Sequence, residues 1–141
     1  MRSILLFLLT PLMLVSEIAT GTAAAHETDK EVIRQLIIKE SLTNIPGHNL
    51  TALTVQLPPG NVSPAHKHDA FVFVHVLAGN VRSQLDNAEA IDYSAGDSWV
   101  EPPGSVHTLT QNLSNKEIAK LLVIFVRKDG DKLTTSGPTN Q

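Results

Sequence analysis

Residues 60–79, GNVSPAHKHDAFVFVHVLAG, place two histidines one residue apart directly before an apolar run. Residues i and i+2 of a β-strand project from the same face, so His66 and His68 would point their imidazoles into one space. A third histidine, His107, closes residues 96–107, GDSWVEPPGSVH, after turn residues that end one strand and begin another. Three imidazoles brought together would suit a zinc, iron, nickel or copper ion.

The joint spacing of these two stretches resembles the two signature motifs of the cupin family. Each stretch begins with a glycine; five residues then precede His66 in the first and Pro102 in the second. The resemblance extends over residues 57–127. It implies an all-β fold, a cupin-type double-stranded β-helix or jelly-roll barrel. It also implies a divalent transition metal, one of Fe, Mn, Ni, Cu or Zn, held by His66, His68 and His107.

The chain departs from the family pattern at two positions. Where the first motif usually has a glutamate that binds the metal, this chain has Val72. Gln84, Gln111 and Glu101 are the candidates for a replacement ligand, and a site of three histidines with water in the open positions is the alternative. The second motif usually ends with an asparagine four residues after its histidine, where this chain has Gln111 and then Asn112.

Other polar side chains near the motifs have ordinary structural interpretations. His75 falls on the opposite strand face from Val72, so it is predicted to face a neighbouring sheet, a dimer interface or solvent. Arg82 and Ser83 could meet an acidic ligand, but solvated strand positions are the default. Trp99 is predicted to pack in the structure rather than to line a pocket mouth. No residue stands out as a general base, and the catalytic residues stay unknown.

Turn residues recur at short intervals along the chain and predict many short antiparallel strands. The segment from Val32 to Leu42 is ambiguous between helix and strand, and we predict a strand with a possible helical start. The tail from Lys128 is predicted to be loose at its end. The remaining strands are predicted at residues 50–57, 71–77, 81–85, 91–93, 98–100, 106–111 and 118–126.

The first 25 residues are typical of a secretory signal peptide. Arg2 gives a positive start, residues 4–15 are mostly apolar, and Ala23-Ala24-Ala25 offers a cleavage site, so the mature protein is expected to begin at His26. The predicted domains are therefore a signal peptide at residues 1–25 and a cupin barrel at residues 26–141. We expect an exported protein, periplasmic or extracellular. An uncleaved membrane anchor is the alternative, but the apolar run is short of the ~20 residues that span a bilayer.

Composition excludes some classes of partner. The net charge is −3, and the chain has no basic run, which makes nucleic acid an improbable partner because that affinity depends on clustered Lys and Arg. No cysteine is available for a disulfide. Apolar runs without strict alternation indicate packing against a second subunit, so a homodimer is expected.

The leading hypothesis is an exported small cupin that binds a divalent metal and a small molecule, with metal-dependent dioxygenase and isomerase as the candidate activities. We expect no stable membrane insertion. A non-catalytic small-molecule-binding module, or a degenerate dimeric scaffold without metal, is the alternative.

Overall fold

The computed structural model describes residues 31–137, which form two antiparallel β-sheets. No helix occurs in this part of the chain, and the predicted all-β class is confirmed. The strands are β1 (Ile33–Ser41), β2 (His48–Leu57), β3 (Val62–Ser63), β4 (His66–Lys67), β5 (Phe71–Ala78), β6 (Asn80–Leu85), β7 (Ile91–Ser94), β8 (Ser98–Glu101), β9 (Val106–Asn112), β10 (Ala119–Lys128) and β11 (Thr135–Ser136).

The strand order makes the two sheets of a jelly roll. The first sheet has the order β1-β2-β10-β5-β8, and the second has the order β11-β4-β9-β6-β7, with β3 pairing to β9. Neighbours in space are mostly far apart in sequence, so the barrel is built from long-range pairings. The predicted strands are all present, with bounds that differ by up to two residues.

The core lies on the inner face of the first sheet. Side chains of β5 and β10 alternate between buried and partly exposed, as expected of strands with one face against a core. Val72, Val74 and Val76 point inward from β5, and Leu121 and Phe125 point inward from β10. At roughly 25 cal/mol per Å² of apolar surface, this burial is the main favourable term for folding.

The segment that the sequence left ambiguous between helix and strand forms β1 from Ile33 to Ser41. The possible helical start is absent. β1 pairs with β2 along its whole length, with an irregularity between Leu36 and Ile38. All nine residues of β1 are exposed, including several large apolar ones. No helix within residues 31–137 is long and apolar enough to cross a membrane.

The described part of the C-terminal segment packs on the barrel. Residues 131–137, which we call the C-terminal strap, return to the barrel, where Thr135 and Ser136 pair with Lys67 and His66 of β4. The amide of Gly137 then donates to the carbonyl of Ala65. The end of the tail, which the sequence predicts to be loose, lies outside the described residues. The predicted signal peptide and its cleavage site lie outside the described residues.

Candidate functional site

A cavity of about 540 Å³ opens between the two sheets. Its walls are aliphatic and aromatic side chains from β2, β5 and β10, together with Leu133 of the strap. His66, His68, His107 and Glu101 are among its polar lining residues, which also include Arg34 and Thr110. A mostly apolar cavity with a few converging polar groups is the usual form of a small-molecule site.

His66 and His68 are held by backbone carbonyls that lie beside the cavity. The Nδ1 atom of His66 lies 2.9 Å from the carbonyl oxygen of Pro64. The Nδ1 atom of His68 is hydrogen bonded to the carbonyl of Leu133. Because a carbonyl can only accept, each Nδ1 carries the proton, and each Nε2 presents a lone pair when the ring is neutral.

His107 reaches the cavity through a bulge in β9. Gln84 of β6 pairs with Leu109, whereas Leu85 pairs with His107, so β9 holds one extra residue. A bulge re-aims the side chains around it, and here His107 and Thr110, three residues apart, are both buried. The extra residue also accounts for the position of Asn112, which follows His107 by five residues instead of the four of the family pattern.

Both ring nitrogens of His107 have neighbours. Nε2 lies 2.8 Å from the hydroxyl of Ser83 and 3.0 Å from the hydroxyl of Thr110, both of which can donate to it. Nδ1 lies 3.2 Å from Oε1 of Glu101. A metal bound through either nitrogen would therefore replace the contacts that this nitrogen makes now.

Glu101 is a buried carboxylate between two of the histidines. Its side chain is almost inaccessible, and Trp99 donates its indole N–H to Oε1 at 3.0 Å. Oε2 lies 3.7 Å from Nε2 of His68 and has no hydrogen-bond partner among residues 31–137. An unpaired charged oxygen in a dry site is costly unless a cation or donor compensates it.

The surroundings shift the pKa values of two of these groups. Burial lowers the pKa of His66 below its usual value, and nearby His107 and His68 lower it further, against the opposing effect of the Pro64 carbonyl. Burial on its own would raise the pKa of Glu101, but hydrogen bonds and charge from His107, Trp99 and His68 outweigh it and lower that pKa. The site therefore favours a neutral His66 and an ionised Glu101, the protonation states of metal ligands.

Imidazole and carboxylate groups are common metal ligands, but the donor atoms of these four side chains do not lie close enough together to coordinate one ion. The ring centroids of His66 and His68 are 5.0 Å apart, and those of His66 and His107 are 5.1 Å apart. Over residues 31–137, no three His, Cys, Asp or Glu side chains form a group that is spaced to hold a metal ion. The three predicted histidines do line one cavity; their role as ligands stays a prediction.

Among the candidates for the missing carboxylate, Glu101 is the one that lies at the site. Val72 is fully buried and faces inward, but it has no donor atom. Gln84 donates its amide to the carbonyl of Ala88 on the exterior. Gln111 lies between two buried residues of β9 and so points the other way.

Two further expectations concern strand faces. His75 points away from the core as predicted, with its Nδ1 atom 2.8 Å from the Ser98 hydroxyl. The default interpretation of Ser83 as solvated is wrong, since it is buried against His107. Ser83 meets His107 because of the bulge in β9, and the spacing of residues in the sequence does not reveal that bulge.

Comparisons with known proteins agree with this architecture. A family model described as "Cupin domain" matches residues 53–125, just over half of the chain. A search of curated proteins finds no sequence significantly similar to this chain.

Three solved structures illustrate the likeness. A DMSP lyase from Ruegeria pomeroyi is 25% identical with a TM-score of 0.56, covering 65% of this chain and 45% of that one. An oxalate decarboxylase mutant from Bacillus subtilis is 25% identical with a TM-score of 0.54, covering 62% and 23%. A cupin superfamily protein from Desulfitobacterium hafniense, at 13% identity and a TM-score of 0.59, covers 72% and 82% and shows the fold alone. The chain thus spans less than half the length of either enzyme.

Proposed function

The chain belongs to the cupin family, and on that premise we propose that its barrel binds a divalent transition metal and a small molecule in one cavity, as a metal-dependent enzyme. His66, His68 and His107 would hold the metal. The observation that supports this best is the convergence of three imidazoles and a buried carboxylate on a mostly apolar cavity. A buried polar group is costly unless it is hydrogen bonded, and Oε2 of Glu101 has no such partner among residues 31–137.

The side chains of the cavity would divide the work. The apolar walls would exclude water and hold the carbon skeleton of a small ligand. The lone pairs on Nε2 of His66 and His68 are available to coordinate a metal. Iron, manganese, nickel, copper and zinc can all be bound by imidazole. A bound metal would supply Lewis-acid or redox chemistry.

The reaction class is the least constrained part of the proposal. Dioxygenase or isomerase chemistry fits a site with open metal positions. The solved relatives at 25% identity are a lyase and a decarboxylase, which supports a reaction on a small molecule.

Metal analysis of five variants tests the proposal. We expect His66→Ala, His68→Ala and His107→Ala each to lose most of the bound metal that the parent retains after dialysis. His75→Ala and His48→Ala are matched controls from outside the cavity and should keep it. Inductively coupled plasma mass spectrometry gives the metal content, and circular dichroism shows that each variant is folded. Equal metal content in the parent and all five variants would refute the ligand set.

A second candidate is a non-catalytic binding module that uses the cavity without metal. One observation favours it: both nitrogens of His107 already have hydrogen-bonding neighbours. For such a module, the affinity for a small ligand found by screening would be unchanged by a chelator. Loss of that affinity in chelator would favour the metal-dependent enzyme.

We also propose that the protein is exported and that residues 1–25 are removed. The support is the sequence pattern of a positive start, an apolar run and Ala23-Ala24-Ala25. The intact mass of protein recovered from the native cell envelope should correspond to a chain that begins at His26. A recovered species that retains residues 1–25 would contradict this.

A homodimer is the remaining part of the proposal. β1 lies at the edge of its sheet, and Leu36, Ile37 and Ile38 are exposed there. An exposed apolar edge strand invites pairing with another strand. Sedimentation should give a dimer for the parent and a larger monomer fraction for Leu36→Lys, with Lys39→Glu as a control that alters charge on the same strand.

A further inference from the structure

We propose that Glu101 supplies the carboxylate of this site, from β8 instead of the β5 position that Val72 occupies. The inference rests on the proposed metal site and names one more ligand within it. Glu101 is 2% exposed, and its Oε2 atom faces Nε2 of His68 at 3.7 Å.

The strand register explains how a residue in the second motif can take this role. Val72 and Glu101 are direct partners in the antiparallel pairing of β5 with β8. Side chains of such partners point to the same face, with Cβ atoms about 4.5–5.5 Å apart. A glutamate at either position can therefore reach the same volume. A valine at position 72 leaves that volume free for the carboxylate of Glu101.

The hydrogen bonds fix one oxygen of Glu101 and leave the other free. Oε1 accepts from the Trp99 indole at 3.0 Å and lies 3.2 Å from Nδ1 of His107. No donor in the described part of the chain reaches Oε2. The carboxylate is thus oriented by one oxygen, and the other is directed at the histidines. The Trp99 indole, which is not a candidate ligand, is an outer partner of the kind that orients a metal ligand.

The contact between Oε2 of Glu101 and Nε2 of His68, at 3.7 Å, calls for a metal ion or a proton between the two atoms. Nδ1 of His68 is committed to the Leu133 carbonyl, so Nε2 of the neutral ring has a lone pair. That lone pair faces a carboxylate oxygen, and two buried acceptors that face each other repel. A metal ion between them would turn the repulsion into two ligand bonds. The alternative is a proton on His68, which would make the contact a structural ion pair.

Glu101→Gln separates these two cases. The amide keeps the size of the side chain and can still accept from Trp99, while its NH₂ group can donate to Nε2 of His68. If Glu101 is a ligand, the variant should bind Mn²⁺ or Zn²⁺ at least ~10-fold more weakly than the parent, by analogy with the 10- to 100-fold cost of losing an outer partner. In chelator it should melt no lower than the parent. Glu117→Gln, on the exposed surface, is the matched control and should match the parent in both measurements.

The two positions can also be exchanged. Glu101→Val should weaken metal binding, and the double variant Val72→Glu/Glu101→Val should recover most of the lost affinity because the carboxylate returns from the paired strand. Isothermal titration with Mn²⁺ and with Zn²⁺ gives the affinities, and the same variants are melted in chelator and in saturating metal. If Glu101→Gln does not fold, this exchange decides the question, and a folded double variant that binds no metal overturns the inference.

The outcomes distinguish this inference from the proposed function. A parent that binds neither metal overturns both. A parent that binds metal, with Glu101→Gln equal to it in affinity, overturns the role of Glu101 and leaves the three-histidine site. A Glu101→Gln variant that melts well below the parent in chelator, with unchanged metal affinity, identifies a structural ion pair and also overturns it.

Discussion

The two sides of the cavity are built in different ways. On one side, Glu101 and His107 belong to β8 and β9, and buried neighbours from the barrel hold them. On the other side, His66 lies on β4, a strand of two residues, and His68 follows it. The C-terminal strap supports this second side through β11 and the Leu133 carbonyl, and β9 of the barrel pairs with the other edge of β4. The barrel therefore fixes one half of the site, and the other half depends both on the barrel and on a segment some 65 residues further along the chain.

This difference predicts that the site can lose one half without losing the barrel. Changes in the strap should alter the orientation of His68 and the properties of the cavity. Changes beside Glu101 and His107 should cost stability and site geometry together, because their partners are also core residues.

The largest expected effect is that of removing residues 131–141 by a stop after Gly130. Loss of Leu133 from the core costs up to about 1.5–3 kcal/mol for a fully buried side chain. Loss of its carbonyl leaves the buried His68 N–H without an acceptor, at about 1–3 kcal/mol. We expect the free energy of unfolding in urea to fall by about 2–4 kcal/mol, with a folded barrel remaining at low urea.

Leu133→Ala is the control for this truncation. It removes the side chain but keeps the backbone carbonyl that binds His68. It should reproduce the packing loss and leave metal affinity close to that of the parent. If the truncated protein and Leu133→Ala bind metal equally well, the strap does not orient His68.

Trp99→Phe tests the barrel side. Phenylalanine keeps an aromatic ring near Tyr93, whose ring centroid is 4.6 Å from that of Trp99, but it removes the donor to Oε1 of Glu101. Hydrogen bonds to charged groups are worth about 1.5–3 kcal/mol, so we expect a loss of unfolding free energy in this range. Tyr93→Phe should have a much smaller effect. A Trp99→Phe variant as stable as the parent would mean that the indole bond does not hold the carboxylate.

Gly137→Ala tests the strap by adding a single methyl group. A Cβ atom at this position would lie 2.9 Å from the backbone carbon of Ala65 and 3.0 Å from the amide nitrogen of His66. Backbone atoms cannot easily move away, so the strap must shift. We expect a loss of about 1 kcal/mol, the low end of the cost of overpacking. Faster amide hydrogen exchange at Lys67 and Thr135 would show that the strap has loosened, and parent-like exchange at both would contradict this.

The difference between the two sides also explains how much the sequence could predict. The alternation of turns and β-rich runs was enough for the all-β barrel, and the motif spacing brought His66, His68 and His107 to one cavity. The placement of Glu101 depends on its register with Val72, 29 positions away, which sequence spacing does not encode. β11 is two residues long in a polar tail, so it has no detectable period. The burial of Ser83 against His107 could not be predicted without knowing that β9 has a bulge.

The smallest expected effect is at Ser83, on the barrel side. Ser83→Ala removes the hydroxyl that lies 2.8 Å from Nε2 of His107, while the hydroxyl of Thr110 remains at 3.0 Å. Because one donor is left for the buried nitrogen, we expect a loss of only about 0.5 kcal/mol in urea unfolding. The double variant Ser83→Ala/Thr110→Val leaves that nitrogen without either donor and should lose about 1–3 kcal/mol. If the losses of the two single variants simply add to that of the double variant, the hydroxyls act independently and do not substitute for each other.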